Sequence, residues 1–303
     1  MALELKNVCK SYGTKQVVKN LSFKIDKPGV FGLIGTNGAG KTTTIRMILG
    51  VTNVDSGEIT WDGAPVTRKN VRYGYMPEER GIYPKIKIED QLLYFAQLRG
   101  MSLADAKKSV NYWLHRMDID EYRNVLSEKL SKGNQQKIQF VMTLLHDPEL
   151  LFLDEPFSGL DPVNTELFKD VVHELVEKGK FIVMSSHQMS TVEEYCEDIL
   201  MLHHGKTLLH GNLADIKAEY PYSDLKIGFD KSNEEILMNL SKNYGLEFEH
   251  KNADTLFFLL KEASKPQEYI SAVVNAQIPV TKFELSKPTL HDIFVSKAGA
   301  KHE

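Results

Sequence analysis

A glycine-rich segment near the N-terminus carries the residues with the clearest chemistry. Residues 35–42 read GTNGAGKT and fit the pattern G-x-x-x-x-G-K-[ST]. The glycines let the backbone curl so that successive N–H groups face an anion, and a following helix adds its positive N-terminal end. Its lysine can reach the β- and γ-phosphates, and its threonine hydroxyl suits Mg²⁺. We therefore predict a phosphate-binding loop made of Gly35, Thr36, Asn37, Gly38, Ala39, Gly40, Lys41, Thr42 and Thr43.

Two neighbouring carboxylates form the second chemical feature. Asp154 and Glu155 directly follow the apolar run 150–153. A carboxylate at the end of a buried strand beside a phosphate loop is the expected Mg²⁺ partner, which is Asp154. Glu155 is then placed to polarise a water molecule for attack on the γ-phosphate.

Apolar runs without alternation predict the strands that position these groups. The runs 30–34, 150–153 and 181–184 read as strands buried on both faces, as in a parallel sheet. Helices predicted at 41–49 and 163–178 complete a strand–helix alternation that indicates an α/β fold. A mostly helical block, about 86–146, interrupts this pattern with apolar residues near 3.6-residue spacing.

The pattern changes after about residue 212, which predicts two domains, 1–212 and 213–303. The second is read as a small α+β domain with the βαββαβ order of ferredoxin-like folds. Its predicted elements are strand 225–229, helix 232–243, strands 246–250 and 255–260, helix 266–276 and strand 280–285, followed by a last helix at 289–296.

Composition excludes several classes of protein. The 303 residues are 42% hydrophobic and 26% charged, which is ordinary for a folded chain of about two domains. A net charge of −4 does not favour nucleic acid as a partner. No stretch approaches 18 uninterrupted apolar residues, and Cys9 and Cys196 are too far apart for a CxxC site. Composition alone therefore predicts a soluble cytoplasmic protein without a role at membranes.

Several further motifs resemble those of the ATP-binding-cassette (ABC) ATPases, in the same order and spacing from residue 3 to about 211. Residues 130–137, LSKGNQQK, resemble the family's LSGGQ signature, and 158–161, SGLD, resemble its D-loop. His187, after the 181–184 strand, resembles the switch histidine. The resemblance implies a P-loop NTPase cassette, with a mixed sheet and a helical subdomain, that binds ATP and Mg²⁺ and hydrolyses ATP.

The resemblance also assigns roles to residues outside the phosphate loop. Glu155 is the base, His187 grips the γ-phosphate and the attacking water, and Tyr12 stacks on adenine, although an exposed strand aromatic is the alternative for Tyr12. In the family, the signature and the phosphate loop of one chain belong to different ATP sites, because two cassettes pack head to tail. The residues that the resemblance assigns to the ATP held by the opposite cassette are Ser131, Gly133, Asn134 and Asp161. The second cassette is a copy of this chain or a related one.

Three positions depart from the family pattern. In the signature, Lys132 replaces the first paired glycine and Asn134 replaces the glutamine. The charge of Lys132 lies either near the γ-phosphate or in solvent. Glu78 stands where most members carry the Q-loop glutamine. It can contact Mg²⁺ or water but brings a negative charge to a phosphate site, so we expect it to bind strongly only with the metal present.

The family resemblance reverses the expectation about membranes. Residues 75–84, the signature variant and the tail 287–294 resemble ABC-2-type exporters of sodium ions, drugs or peptides, whose membrane part is a separate permease chain. Arg80, Ile82, Tyr83 and Lys85 border the groove where a permease helix docks in the family, with a plain loop as the alternative. The expected location is cytoplasmic, held peripherally on the inner face of the membrane by the permease. A cassette ATPase acting on ribosomes or in regulation is the other class.

Overall fold

The computed structural model describes residues 1–79, 81–230 and 233–299. Contacts between Cα atoms divide the chain into two compact units, Met1–Leu213 and Ala214–Glu303. Within the described residues, no helix is both long and apolar enough to cross a membrane.

The first unit contains two sheets and helices on both sides of the longer one. Its strands are β1 (Leu3–Tyr12), β2 (Lys15–Ile25), β3 (Gly29–Gly35), β4 (Ser56–Trp61), β5 (Tyr73–Met76), β6 (Leu150–Asp154), β7 (Phe181–Ser186), β8 (Asp198–His203) and β9 (Lys206–Asn212). Its helices are α1 (Lys41–Ile48), α2 (Ile88–Leu98), α3 (Leu103–Arg116), α4 (Lys132–Leu144), α5 (Pro162–Glu177) and α6 (Met189–Tyr195).

The larger sheet has the order β5-β6-β7-β3-β8-β9 and is parallel except for the hairpin that joins β8 to β9. The three apolar runs predicted as buried parallel strands are β3, β6 and β7, so that prediction is confirmed. In the register of this sheet Ile34 pairs with Ser186, and Asp154 pairs with Ser185. Parallel strands end at one edge, so the segments that follow β3, β6 and β7 emerge side by side.

The smaller sheet, β2-β1-β4, is antiparallel and contacts the larger one at the β8–β9 hairpin. His204 and Gly205 form the two-residue loop of the β8–β9 hairpin. Both have positive φ, as a type I′ turn requires. The N–H of Lys19 in β2 donates to the carbonyl of Gly205 at 2.8 Å. A Cβ on Gly205 would lie 2.3 Å from the Val17 carbonyl oxygen, so only glycine permits this contact.

The predicted helical block consists of α2, α3 and α4 with short 3₁₀ turns at 120–122 and 127–129. The apolar spacing is confirmed on α3, where Val110, Trp113 and Leu114 are buried. Leu98 belongs to the same series of apolar residues near 3.6-residue spacing, which predicts burial, but its side chain is 53% exposed. It lies at the last turn of α2, beyond the buried positions Leu92 and Ala96, where the helix leaves the core.

The second unit is a four-stranded antiparallel sheet in the order β11-β12-β10-β13. Its elements are α7 (Leu213–Ala218), β10 (Asp224–Phe229), α8 (Glu234–Lys242), β11 (Glu247–Asn252), β12 (Thr255–Leu259), α9 (Pro266–Asn275), β13 (Val280–Ser286) and α10 (Leu290–Gly299). The sheet order and the two helices give the predicted ferredoxin-like arrangement. Its core joins Leu225, Ile227 and Phe258 of the sheet to Leu237 of α8 and Tyr269 of α9.

We expect Gly205→Ala to destabilise the first unit far more than Gly179→Ala. Both glycines have nearly the same φ, +77° and +76°, so both alanines carry a left-handed strain of about 1 kcal/mol. Only position 205 adds a steric clash, which should cost about 2 kcal/mol more, because nothing lies within 4 Å of a Cβ at 179. Urea denaturation of both variants measures the difference, and equal losses would contradict the packing described here.

Candidate nucleotide site

The phosphate loop connects the end of β3 to the start of α1. Gly38 and Gly40 have φ of 79° and 109°, and the N–H of Ala39 donates to Thr36 at 3.0 Å. The ammonium of Lys41 donates to the carbonyl of Gly35 at 2.8 Å, so the lysine folds back over the loop. The first N–H groups of a helix have no partner within the helix, and those of α1 point out of its N-terminal end, where an anion binds well.

A cavity opens beside this loop and collects most of the predicted residues. It is lined by Val17, Asn37, Gly38, Ala39, Gly40, Lys41, Thr42, Thr43, Glu78, Asp154 and Glu155. Gly35 and Thr36 belong to the loop but not to the lining. Val17 escaped prediction, because a valine in a strand carries no chemical signal. It reaches the site by packing: a Cβ on Gly40 would lie 2.9 Å from its carbonyl oxygen.

Asp154 is fully buried, and among the described residues only one of its carboxylate oxygens has a partner. The hydroxyl of Ser185 donates to Oδ1, whereas Oδ2 makes no hydrogen bond to any part of the chain that the structure describes. Burial, and then the charge of Asp154, raises the pKa of the neighbouring Tyr75 phenol. A buried carboxylate oxygen without a partner is costly unless a cation satisfies it. With Thr42 and Glu78 in the same cavity, the oxygen donors fit a Mg²⁺ ion.

Glu155 lies between the phosphate loop and His187. Its Oε1 is 2.8 Å from Nδ1 of His187 and 3.7 Å from Nζ of Lys41. Because an ionised carboxylate only accepts hydrogen bonds, Nδ1 carries the proton in this contact. The backbone of Glu155 is left-handed, with φ of 52°, and its N–H donates to both oxygens of Ser185 at 3.2 Å. The structure thus brings together the three predicted catalytic side chains.

Glutamine side chains of α4 hold the loops on either side of the site, and sequence reasoning missed them. Nε2 of Gln139 donates to the carbonyls of Pro77 and Glu79, at 2.6 and 3.2 Å, on both sides of Glu78. Nε2 of Gln136 donates to Pro156, next to Glu155, at 3.0 Å. The available signal was the presence of amides on an otherwise buried helix, since a buried amide needs a partner.

The residues assigned to an opposite ATP site form a separate cluster. Ser131 caps α4 by accepting from the N–H of Asn134 at 3.2 Å, and Asp161 caps α5 by accepting from the N–H of Asn164 at 2.9 Å. A Cβ on Gly133 would lie 3.5 Å from the Asn164 side chain, so the two helix ends adjoin. Among the described residues that line the Lys41 cavity, none belongs to this cluster.

Two other predicted positions lie at the surface. Tyr12 ends β1 with 51% of its surface exposed, and Nζ of Lys10 lies 5.6 Å from its ring centre. It is not part of the cavity lining among the described residues. Lys132 is exposed at the first turn of α4. Arg80 lies outside the described residues.

Comparisons with known proteins agree with this geometry. The family model described as "ABC transporter" matches residues 18–158, and the model "ATP-binding protein DrrA1-3-like, C-terminal domain" matches residues 211–298. A solved structure of an ATP-binding subunit of an ABC transporter is 30% identical, with a TM-score of 0.67. That match covers 72% of this chain and 93% of that one.

Two of the curated relatives described next match almost the entire chain, and a third matches 71% of it. An uncharacterised ABC transporter ATP-binding protein of Bacillus subtilis is 45% identical over 99% of this chain and 100% of its own length. A Nod factor export ATP-binding protein of a Rhizobium species is 30% identical over 100% of this chain and 99% of its own length. The linearmycin resistance ATP-binding protein of Bacillus subtilis is 34% identical over 71% of this chain and 70% of its own length. The chain belongs to the ATP-binding proteins of ABC transporters and, like them, is an ATPase.

Proposed function

We propose that this chain is the ATP-hydrolysing subunit of an ABC-2-type exporter whose permease is a separate chain. The observation that carries the proposal is the cavity in which Lys41, Asp154 and Glu155 converge beside a phosphate loop. The names of the export relatives, with the match of the C-terminal unit to the DrrA-like domain, support the direction of transport.

Hydrolysis in this proposal uses the geometry around Glu155. Glu155 accepts a proton from the attacking water. His187, which is hydrogen-bonded to the Glu155 carboxylate, orients that water and contacts the γ-phosphate. Lys41 and the loop amides hold the β- and γ-phosphates. Mg²⁺, held by Thr42, Asp154 and Glu78, would neutralise charge on the phosphates. Tyr12 would stack on adenine.

The cluster at the N-termini of α4 and α5 supports a two-cassette mechanism. Ser131, Gly133, Asn134 and Asp161 lie outside the cavity of their own chain, so they are available to an ATP held by a second cassette. Two cassettes would close on two ATP molecules and reopen after hydrolysis. A homodimer with two-fold symmetry is the simplest form, and a related second chain would serve equally.

An apolar groove at the start of α2 is the proposed docking site for the permease. It is lined by Tyr83, Ile86, Asp90, Gln91 and Tyr94. Its aromatic and aliphatic members are well exposed, with Tyr94 at 55%, Tyr83 at 48% and Ile86 at 41%. The backbone N–H of Tyr83 donates to the buried Gln91 side chain at 3.1 Å, which fixes the wall of the groove. Exposed apolar surface of this kind is typical of a protein contact.

In this proposal the permease, and not this chain, binds the transported substrate. Sodium ions, drugs and peptides are the candidate classes, and the relatives are named for linearmycin resistance and Nod factor export. Residues 213–303 would act as an accessory domain in dimer contact or regulation. The alternative is a cassette ATPase that works on ribosomes or in regulation without a permease, and it would leave the α2 groove without its occupant.

We expect Glu155→Gln to slow ATP turnover at least 100-fold while ATP binding persists, because the amide cannot accept the proton from water. The variant should accumulate as an ATP-bound dimer, measurable by size-exclusion chromatography with light scattering. Glu166→Gln, an exposed glutamate on α5, is the matched control. Turnover at the normal rate would remove Glu155 from the role of base.

We expect Asp154→Asn to abolish Mg²⁺-dependent hydrolysis and to stabilise the metal-free protein by roughly 1–3 kcal/mol, because the buried charge on Oδ2 is removed. Denaturation in EDTA measures the second effect. Asp26→Asn, at an exposed surface ion pair, should change stability by no more than about 0.5 kcal/mol. An unchanged or lower stability of Asp154→Asn would show that its unpaired oxygen is not a site built for a cation.

We expect Tyr94→Ala to leave basal ATPase activity unchanged but to weaken association with the permease about tenfold or more, because an exposed aromatic anchor is lost. Co-purification with the proposed permease, sought first among the products of neighbouring genes, measures the association. Tyr112→Ala is the control, since Tyr112 on α3 is 48% exposed and lies outside the groove. Equal binding by both variants would place docking elsewhere.

A further inference from the structure

A small cavity at the far end of β5 from Glu78 is lined by three arginines. Its lining comprises Arg68, Val71, Arg72, Tyr73, Leu98, Arg99 and His146. These come from the loop before β5, the start of β5, the end of α2 and the segment after α4. They share no residue with the nucleotide cavity.

Within the part of the chain that the structure describes, two of the three guanidinium groups have no compensating carboxylate. Arg72 pairs with Glu149, with Nε and Nη2 each 3.2 Å from Oε1. Among the described residues, neither Arg68 nor Arg99 has a carboxylate within 4 Å. Arg99 instead lies over the Tyr73 ring at 5.5 Å and donates weakly to the Tyr73 carbonyl at 3.5 Å.

The environment of Arg99 shows that this arrangement is electrostatically costly. Burial, followed by the positive charge of Arg68, lowers the pKa of Arg99 from its ordinary value. A half-buried cation beside a second cation is destabilised in the free protein by lost hydration and by charge repulsion. An anion bound between the two cations would offset both costs.

His146 does not add to the positive charge of this cavity. Burial and the charges of Arg99 and Arg72 lower the pKa of His146 to about 4, so its imidazole is neutral near pH 7. Its Nε2, 2.9 Å from the carbonyl of Tyr73, must carry the proton in that contact, since a carbonyl only accepts. With Arg72 offset by Glu149, the cavity presents a charge of about +2.

We propose that this cavity binds a dianionic phosphoryl group. Guanidinium forks match the oxygens of a phosphate, and two uncompensated charges match a dianion, whereas a single carboxylate would leave one of them unpaired. The group belongs either to a small phosphorylated molecule or to a lipid whose headgroup is a phosphomonoester, such as phosphatidic acid.

Equilibrium dialysis with radiolabelled inorganic phosphate tests the proposal on the full chain. The nucleotide site is first filled with Mg²⁺ and a non-hydrolysable ATP analogue, so that Lys41 does not contribute. We expect one phosphate to bind, and Arg68→Gln and Arg99→Gln each to weaken it about tenfold. Lys69→Gln, which removes the same charge from the adjacent exposed side chain, should bind within about twofold of the unchanged chain.

Arg68 is exposed, so Arg68→Gln keeps the test valid even if Arg99→Gln fails to fold. Sedimentation with phosphatidylcholine vesicles, with and without phosphatidic acid, separates the two sources. If the chain binds vesicles that contain phosphatidic acid and this binding requires Arg68, the ligand is a lipid headgroup. If the chain binds inorganic phosphate but not these vesicles, the ligand is a small molecule. The proposal is overturned if phosphate does not bind, or if the arginine variants bind it normally but release the permease, which would make the cluster a protein contact.

Discussion

The parallel pairing of β7 with both β3 and β6 is the constraint on which the site depends. That register ends three strands at one edge, so the phosphate loop, the Asp154–Glu155 pair and His187 emerge beside one another. Ser185 reinforces this edge, because its hydroxyl and carbonyl together hold Asp154 and the left-handed backbone of Glu155. The strands are buried on both faces, so their register cannot slip without exposing apolar side chains to water.

The helical block is connected to this edge through α4. The amides of Gln136 and Gln139 bond to backbone carbonyls beside Glu155 and around Glu78, while Ser131 begins the same helix. A displacement of the N-terminal end of α4 would therefore be transmitted to both loops at the proposed nucleotide site. In the proposed two-cassette mechanism, such a link would couple closure to the proposed docking groove on α2.

Among the described residues of the first unit, uncompensated charge of opposite sign marks the surroundings of Asp154 and those of Arg68 and Arg99. At Asp154 an unpaired buried oxygen lies beside a phosphate loop, and at Arg68 and Arg99 two cations face a small cavity without a carboxylate. Both arrangements are costly in the free protein, and a partner of opposite charge would relieve each of them. The mild net charge of the whole chain gave no sign of either, because it averages over sites that differ locally.

The sequence by itself determined the motifs, the strand and helix order, and the class of ATPase. Contiguous residues such as 35–43 form one local structure, and uninterrupted apolar runs leave little alternative to buried strands. Only the tertiary structure decided which distant residues share a surface. Val17 reaches the phosphate loop through the packing of β2, and Leu98 leaves the core where α2 ends. Gln139 bonds to the carbonyl of Pro77, next to Glu78, across 62 positions of sequence. Composition gives no sign of the proposed permease partner for the same reason: an exposed apolar groove is a property of packed surfaces, whereas composition records only how many residues of each type the chain contains.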